Sequence, residues 1–246
     1  KDFALLCHDL QIISAVYEVT MSDPILSKYI EVKENILTAC QDIITELQTI
    51  FALEKALNIT DINGDTEVFI NPGVSEPIDK LVKESMDGRE KLEAIRLYLS
   101  NIIKVSEKTT VKDTQYIKIH ETPKSDAMLI GTSRRIEFLK SYLQGRVQGQ
   151  GQKNTGLPKN DVSQKNTGLQ SVQINYNSNY SQKPEVFAFC IDDLEFNTVG
   201  SNKKDLIITN AQIKELTNDI QCSREKIVKE MSWFFSKYVN EFIRFE

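Results

Sequence analysis

The sequence predicts a mainly helical protein that carries a small β-rich subdomain between two long helices. Two stretches, 75–104 and 209–246, have apolar residues recurring at three- and four-residue steps. Between them the apolar period changes to two, which is typical of strands. We therefore expect a helical base and two long antiparallel helices with a β-rich module at their tip.

This interpretation divides the chain into four parts. They are part of a helical core at 1–74, an outgoing helix at 75–104, a β-rich module at 105–209 with a disordered insertion at about 144–183, and a returning helix at 210–246.

Two helices, 2–20 and 24–58, are predicted in the base. Asp23 lies between them and can cap the second helix, and Pro24 suits the first turn of that helix. Ser75 is the expected cap of the outgoing helix.

The module at the tip is predicted to hold several short strands and one helix. The strands are 115–120, 127–130, 187–191, 194–198 and 206–209. Thr132 or Ser133 is expected to cap the helix, which carries Ile136, Leu139 and Leu143. A capping box of Thr209 and Gln212 is expected to begin the returning helix.

The polar stretch 144–182 is rich in Gln, Asn, Gly and Ser and contains a duplication, 152–157 and 164–169. Such a composition buries too little apolar surface to offset the entropy of ordering the chain. We expect a mobile insertion here, and we expect the fold to tolerate deletion of 146–182.

Charge is distributed unevenly along the chain. Residues 105–209 hold 14 Lys or Arg against 11 Asp or Glu, whereas the remainder holds 16 against 24. Within 133–183 the count is 8 basic against 2 acidic residues. The tip is therefore expected to attract polyanions.

Several classes of protein find no support in the sequence. There is no uncharged apolar run of about 18 residues, as a membrane span would need. Four widely separated cysteines and two isolated histidines argue against a metal centre or a disulfide framework, so we expect reduced thiols and an intracellular, reducing compartment. No phosphate-binding loop or nucleophile elbow is present, and we expect no enzymatic activity in this segment.

Two short stretches combine charge with backbone donors. In the first, Thr132-Ser133-Arg134-Arg135, two arginines occupy the start of a helix, where the macrodipole disfavours cations and favours an anion such as phosphate. The alternative is that both arginines are solvated or paired with Glu137 or a neighbouring acid. In the second, Gly200-Ser201-Asn202-Lys203-Lys204, the pattern predicts a turn that either contacts phosphate or is simply an exposed hairpin.

The helical parts of the sequence resemble the core and lever regions of the MutS DNA mismatch-repair proteins. Residues 1–10 are similar to the end of the family's "PRDL..L..SL" helix. The stretch 69–73, followed by 78–81 and Gly88, is similar to the "NPG…LDELR…G" pattern at the start of the outgoing lever.

The tip resembles the clamp of the same family, in a more divergent form. Residues 116–119 and 129–132 are similar to the "LKVGYN…GYYIEV" strands, although the Gly-Tyr-Tyr is missing. Residues 201–209 resemble the "KNAERY" stretch before "TPELKE" at the returning lever. Together with the insertion, this divergence resembles the large viral or organellar members.

The resemblance implies a segment of a longer dimeric ATPase that encircles duplex DNA, with ATP and magnesium bound by the parent protein outside this chain. Within the segment it implies a clamp that holds the DNA backbone without reading bases. The residues expected to contact DNA are Lys118, Thr132, Ser133, Arg134, Arg135, Ser201, Asn202, Lys203 and Lys204. A structural helical hairpin that tethers other proteins through its basic tip is the alternative. A fragment of an uncharacterised enzyme is a third class, which the lack of a catalytic constellation in the sequence disfavours.

Overall fold

The computed structural model describes residues 1–29, 36–58, 68–107, 116–122, 125–148, 171–181, 183–199 and 202–242. The protein is mostly helical with small antiparallel sheets. The helices are α1 (Asp2–Ser22), α2 (Ile36–Ile50), α3 (Leu53–Asn58), α4 (Glu76–Glu107), α5 (Ser133–Gln148) and α6 (Ala211–Phe242), with a 3-10 turn at Leu26–Tyr29. The strands are β1 (Ile117–Thr122), β2 (Ser125–Thr132), β3 (Ser171–Tyr176), β4 (Glu185–Cys190), β5 (Glu195–Val199) and β6 (Asn202–Thr209).

The chain forms two compact units. The first comprises Lys1–Lys80 and Lys226–Glu246, and the second comprises Leu81–Glu225. Each unit has its own apolar interior.

The first unit is built around a cluster of aromatic side chains. The ring of Phe3 on α1 lies 5.5 Å from Phe51, 5.5 Å from Phe235 and 5.7 Å from Phe242, measured between centroids. The Tyr238 ring lies 5.2 Å from Phe51, and its hydroxyl donates to Glu46 Oε1 at 2.8 Å. Burial and this carboxylate raise the pKa of Tyr238. The cluster thus holds the start of α1 against the last turns of α6.

The prediction of a single helix over 24–58 is wrong. Asp23 does cap the chain after α1, since its Oδ1 accepts from the amides of Ile25 and Leu26, but only a 3-10 turn follows. Farther along, Phe51 leaves the helix to form a β-bridge with Ile70. The Nδ2 of Asn71 donates hydrogen bonds to the Gln48 and Thr49 carbonyls at 2.8 and 3.0 Å. Helix α2 therefore ends because a distant segment satisfies its last carbonyls.

The outgoing helix begins as predicted, with Ser75 immediately before α4. Gly73 has φ +87°, a left-handed conformation that favours glycine, and its amide donates to Asp79 Oδ2 at 2.8 Å.

The second unit contains two sheets packed on helices. The four-stranded sheet has the order β1-β2-β6-β5, and β3 pairs with β4 in a separate hairpin, with all pairs antiparallel. One face of the four-stranded sheet packs on α4 and α5, where Leu99, Ile103, Leu129, Ile136 and Leu139 are fully buried.

Helices α4 and α6 pack antiparallel within this unit. A Cβ placed on Gly88 would lie 2.9 Å from Ile220 Cγ1, so the close approach requires the absence of a side chain. Farther along α4, Ile95 lines the same cavity as Gln212 and Leu216 of α6. Because these two residues precede Ile220, the two helices run in opposite directions.

The prediction of a disordered insertion over 144–183 is wrong at both ends of that range. Helix α5 extends to Gln148, and β3 occupies Ser171–Tyr176. Val172, Ile174 and Tyr176 are buried on one face of β3, so a deletion of 146–182 would remove part of the core. Residues 149–170 lie outside the described residues.

The predicted capping box is also wrong. Thr209 is the last residue of β6 and pairs with Glu195, so it cannot cap α6. Asn210 is the cap, and its Oδ1 accepts from the Ile213 amide at 2.8 Å. Its Nδ2 donates to the Cys190 carbonyl at 2.8 Å and to Asp193 Oδ1 at 2.9 Å.

We predict that Ile174→Ala lowers the free energy of unfolding by about 2–4 kcal/mol, because it leaves a cavity in the core. Gln173→Ala, on the exposed face of the same strand, is the matched control and should change it by less than about 0.5 kcal/mol. Urea unfolding followed by circular dichroism measures both. Equal stability of the two variants would show that β3 contributes nothing to the core.

We predict that Asn210→Ala costs about 2–4 kcal/mol, since it removes a helix cap and leaves buried backbone groups unsatisfied. Asn210 is 1% exposed. Asn197→Ala, exposed on β5, is the control and should be nearly neutral. Thermal melting that does not distinguish the two variants would contradict the proposed role of Asn210.

Candidate nucleic-acid interface

One end of the four-stranded sheet brings the two predicted stretches together. Thr132, the last residue of β2, pairs with Asp205 of β6. The Ser133 hydroxyl donates to the Lys204 carbonyl at 3.0 Å, across 71 residues of sequence. The opening turn of α5 and the start of β6 therefore form one surface, which we call the basic end: Thr132, Ser133, Arg134, Arg135 and Lys204.

The two arginines of the basic end lie in different environments. Arg134 is exposed, whereas Arg135 is half-buried with its guanidinium 4.9 Å from the centre of the Tyr116 ring. This cation–π contact places the Arg135 guanidinium over the ring of the residue that precedes β1. The carboxylate of Glu137 lies 3.1 Å from Lys140 Nζ. The first turn of α5 contains no acidic residue.

Lys118 lies on the opposite face of the sheet from the α5 helix. It is exposed on β1 and pairs with Ile130, which in turn pairs with Ile207. By strand alternation Thr132 shares that face with Lys118. Lys118 therefore lies outside the basic end. The half-buried Asp205, which pairs with Thr132, is an acidic residue on the same face of the sheet as Lys118.

The second predicted stretch is only partly described. The expected turn at 200–204 is wrong for its last three residues, because β6 begins at Asn202 and Val199 pairs with Asn202. The β5–β6 pairing thus continues almost to the connection. Lys204 is exposed. Ser201 and the side chains of Asn202 and Lys203 lie outside the described residues.

A cluster that the sequence did not reveal joins β1 to both long helices. Arg224 Nη1 lies 2.6 Å from Glu121 Oε1, and Arg89 Nη2 lies 2.9 Å from the same oxygen. Burial lowers the pKa of Arg224, with a further contribution from the charge of Arg89. Arg224 Nε is buried without a hydrogen-bond partner. One carboxylate therefore holds two guanidinium groups, a pairing that no local motif at Glu121 could have indicated.

A second cluster holds the β3–β4 hairpin on α4. The Tyr176 hydroxyl lies 2.8 Å from Asp87 Oδ1 and 2.7 Å from Glu185 Oε2. The hydroxyl has one hydrogen, so it donates to one carboxylate at a time. Burial and both carboxylates raise the pKa of Tyr176. Sequence reasoning missed this residue because it was placed in the insertion.

The described residues hold neither a metal-binding cluster nor a membrane-spanning helix. No group of three or more His, Cys, Asp or Glu side chains in this part of the chain is arranged to hold a metal ion. No helix within the described ranges is long and apolar enough to span a bilayer.

No protein-family model and no curated protein matches the chain.

We predict that Glu121→Gln lowers the free energy of unfolding by about 1–3 kcal/mol, because it leaves two neighbouring guanidinium groups without a counter-charge. The double variant Glu121→Gln/Arg224→Met should recover part of the loss, since it also removes the buried cation. Chemical denaturation of the two variants and of Arg224→Met closes a double-mutant cycle. Strictly additive effects would exclude a coupling between Glu121 and Arg224.

Proposed function

We propose that the chain is the lever and clamp segment of a MutS-like mismatch-repair ATPase, which holds duplex DNA by its backbone and couples it to a motor domain outside this segment. The sequence resemblance supports this proposal through four short motifs in family order. In this interpretation α4 and α6 are the levers and the sheets with α5 are the clamp.

The observation that carries the proposal is the convergence of separate cations on the basic end. The 3.0 Å bond from Ser133 to the Lys204 carbonyl joins two stretches that are distant in sequence. Each stretch contributes a cationic side chain that suits phosphate, namely Arg134 and Lys204. The backbone amides at the start of α5 lie at the positive end of the helix dipole, which also favours an anion. Such a surface favours a polyanion.

The proposed coupling uses the Glu121 cluster. Arg89 belongs to α4 and Arg224 to α6, and both bind the same oxygen of a β1 residue. A displacement of either helix would therefore act on the sheet that bears the basic end. ATP and magnesium would bind the motor domain of the parent protein, and a homodimer would close the ring around DNA.

A second candidate function is a protein-tethering module, and α1 favours it. Leu5, Ile12, Val16 and Val19 recur at helical spacing along α1 and are between 48% and 71% exposed. An exposed apolar stripe of this kind is typical of a protein contact. Under this alternative the basic end would bind an acidic protein surface in place of DNA.

We predict that Arg134→Glu/Lys204→Glu weakens binding to duplex DNA and lowers the slope of log affinity against log salt by about 0.9 for each phosphate that the variant no longer neutralises. The weakening should be equal for unrelated duplex sequences, because backbone contacts carry no base information. Fluorescence anisotropy across a salt series measures both quantities.

The matched control is Lys28→Glu/Lys55→Glu, which makes the same change of charge at exposed positions of the first unit. Equal weakening and equal slopes for the two double variants would contradict the proposed DNA surface, since attraction would then depend on net charge alone. Failure of the wild-type chain to bind DNA, with binding to an acidic protein surface, would favour the tethering alternative.

A further inference from the structure

A cavity of about 170 Å³ opens in the second unit between α4, β4 and α6. The apolar residues that line it are Ile95, Phe187, Phe189 and Leu216, of which Phe187 and Leu216 are partly exposed. Ile95 and Phe189 are 1% and 0% exposed and belong to the apolar core, so the base of the cavity is fixed by packing. The cavity shares no residue with the basic end.

Gln212 closes the β4 side of the cavity. Its Oε1 accepts from the Cys190 amide at 2.7 Å, and its Nε2 donates to the Ala188 carbonyl at 3.1 Å. These bonds occupy backbone groups on the edge of β4 that an added strand would use. A ligand cannot pair with these two backbone groups while Gln212 holds them, which favours binding through a side chain.

The mouth of the cavity carries a negative charge. Glu215 and Asp219 line it one turn apart on α6, and both are exposed. Among the described residues neither forms an ion pair. Lys91, the cation that also lines the cavity, is already 2.6 Å from Asp87 Oδ2 and lies over the Tyr176 ring. Like charges at this helical spacing repel each other, and a cation between them would remove that repulsion.

We propose that this cavity binds a single lysine or arginine side chain presented by a basic segment of a partner protein. The methylene stem lies on Phe187 and Leu216, and the cationic head lies between Glu215 and Asp219. The volume supports one side chain, because it is well below the roughly 300–1,000 Å³ of pockets for drug-sized ligands. The charge of the mouth selects a cation and repels DNA, so this surface is separate from the function proposed above.

The test uses methyl NMR of the full chain, following Ile95 and Leu216 during titration with the peptide acetyl-Gly-Gly-Lys-Gly-Gly-amide. We expect saturable shifts of both methyl signals. The peptide with norleucine in place of lysine has the same stem without the charge and should bind at least about tenfold more weakly.

The variant Glu215→Gln/Asp219→Asn keeps the shape of the mouth and should lose the preference for lysine over norleucine. Glu225→Gln, an exposed carboxylate on the same helix, is the control and should keep it. No saturable shift up to about 10 mM lysine peptide would overturn the proposal, as would equal binding of the norleucine peptide. Self-association of the wild-type chain that the double variant abolishes would overturn the assignment to a partner protein and indicate a second copy of this chain.

Discussion

The packing of α4 within the second unit is the constraint on which the rest of that unit depends. One side of the helix meets α6 so closely that Gly88 has no room for a Cβ against Ile220. Apolar side chains on other parts of α4 pack on the four-stranded sheet, and Arg96 Nη1 donates to the Ile117 carbonyl at 3.1 Å. Because a single helix contacts α6, β1 and the β3–β4 hairpin, their positions within the unit are set together.

Polar side chains complete this packing where apolar contacts end. Glu121 neutralises two arginines from different helices, Tyr176 lies between two carboxylates, and Asn210 joins the start of α6 to the β4–β5 connection. Each of these residues forms ion pairs or hydrogen bonds with partners that lie far apart in the sequence. Removing one of them therefore leaves several groups unsatisfied at once, which is why buried polar residues carry large costs on substitution.

Sequence patterns identified the long helices well, because their apolar period persists over many turns. They failed where residues distant in sequence determine the local structure. Strand β3 lies in a polar stretch but pairs with β4, and α2 ends where the Asn71 side chain donates to one of its last carbonyls. The residue types at 132–135 were suggestive by themselves, whereas their meeting with Lys204 depends on strand register. The Glu121 cluster and the cavity arise only from tertiary packing, so no local signal could have indicated them.

The division of the chain has a consequence for the order of folding. The second unit is continuous from Leu81 to Glu225, whereas the aromatic cluster of the first unit needs both Phe3 and Phe242. Contacts between residues so far apart in sequence form slowly, because the intervening chain must first be restricted. During synthesis the second unit can become complete while α6 is still unfinished. We therefore expect the first unit to close after the second, and a stall of the ribosome before Phe235 would leave Phe3 and Phe51 without this aromatic partner and open to aggregation.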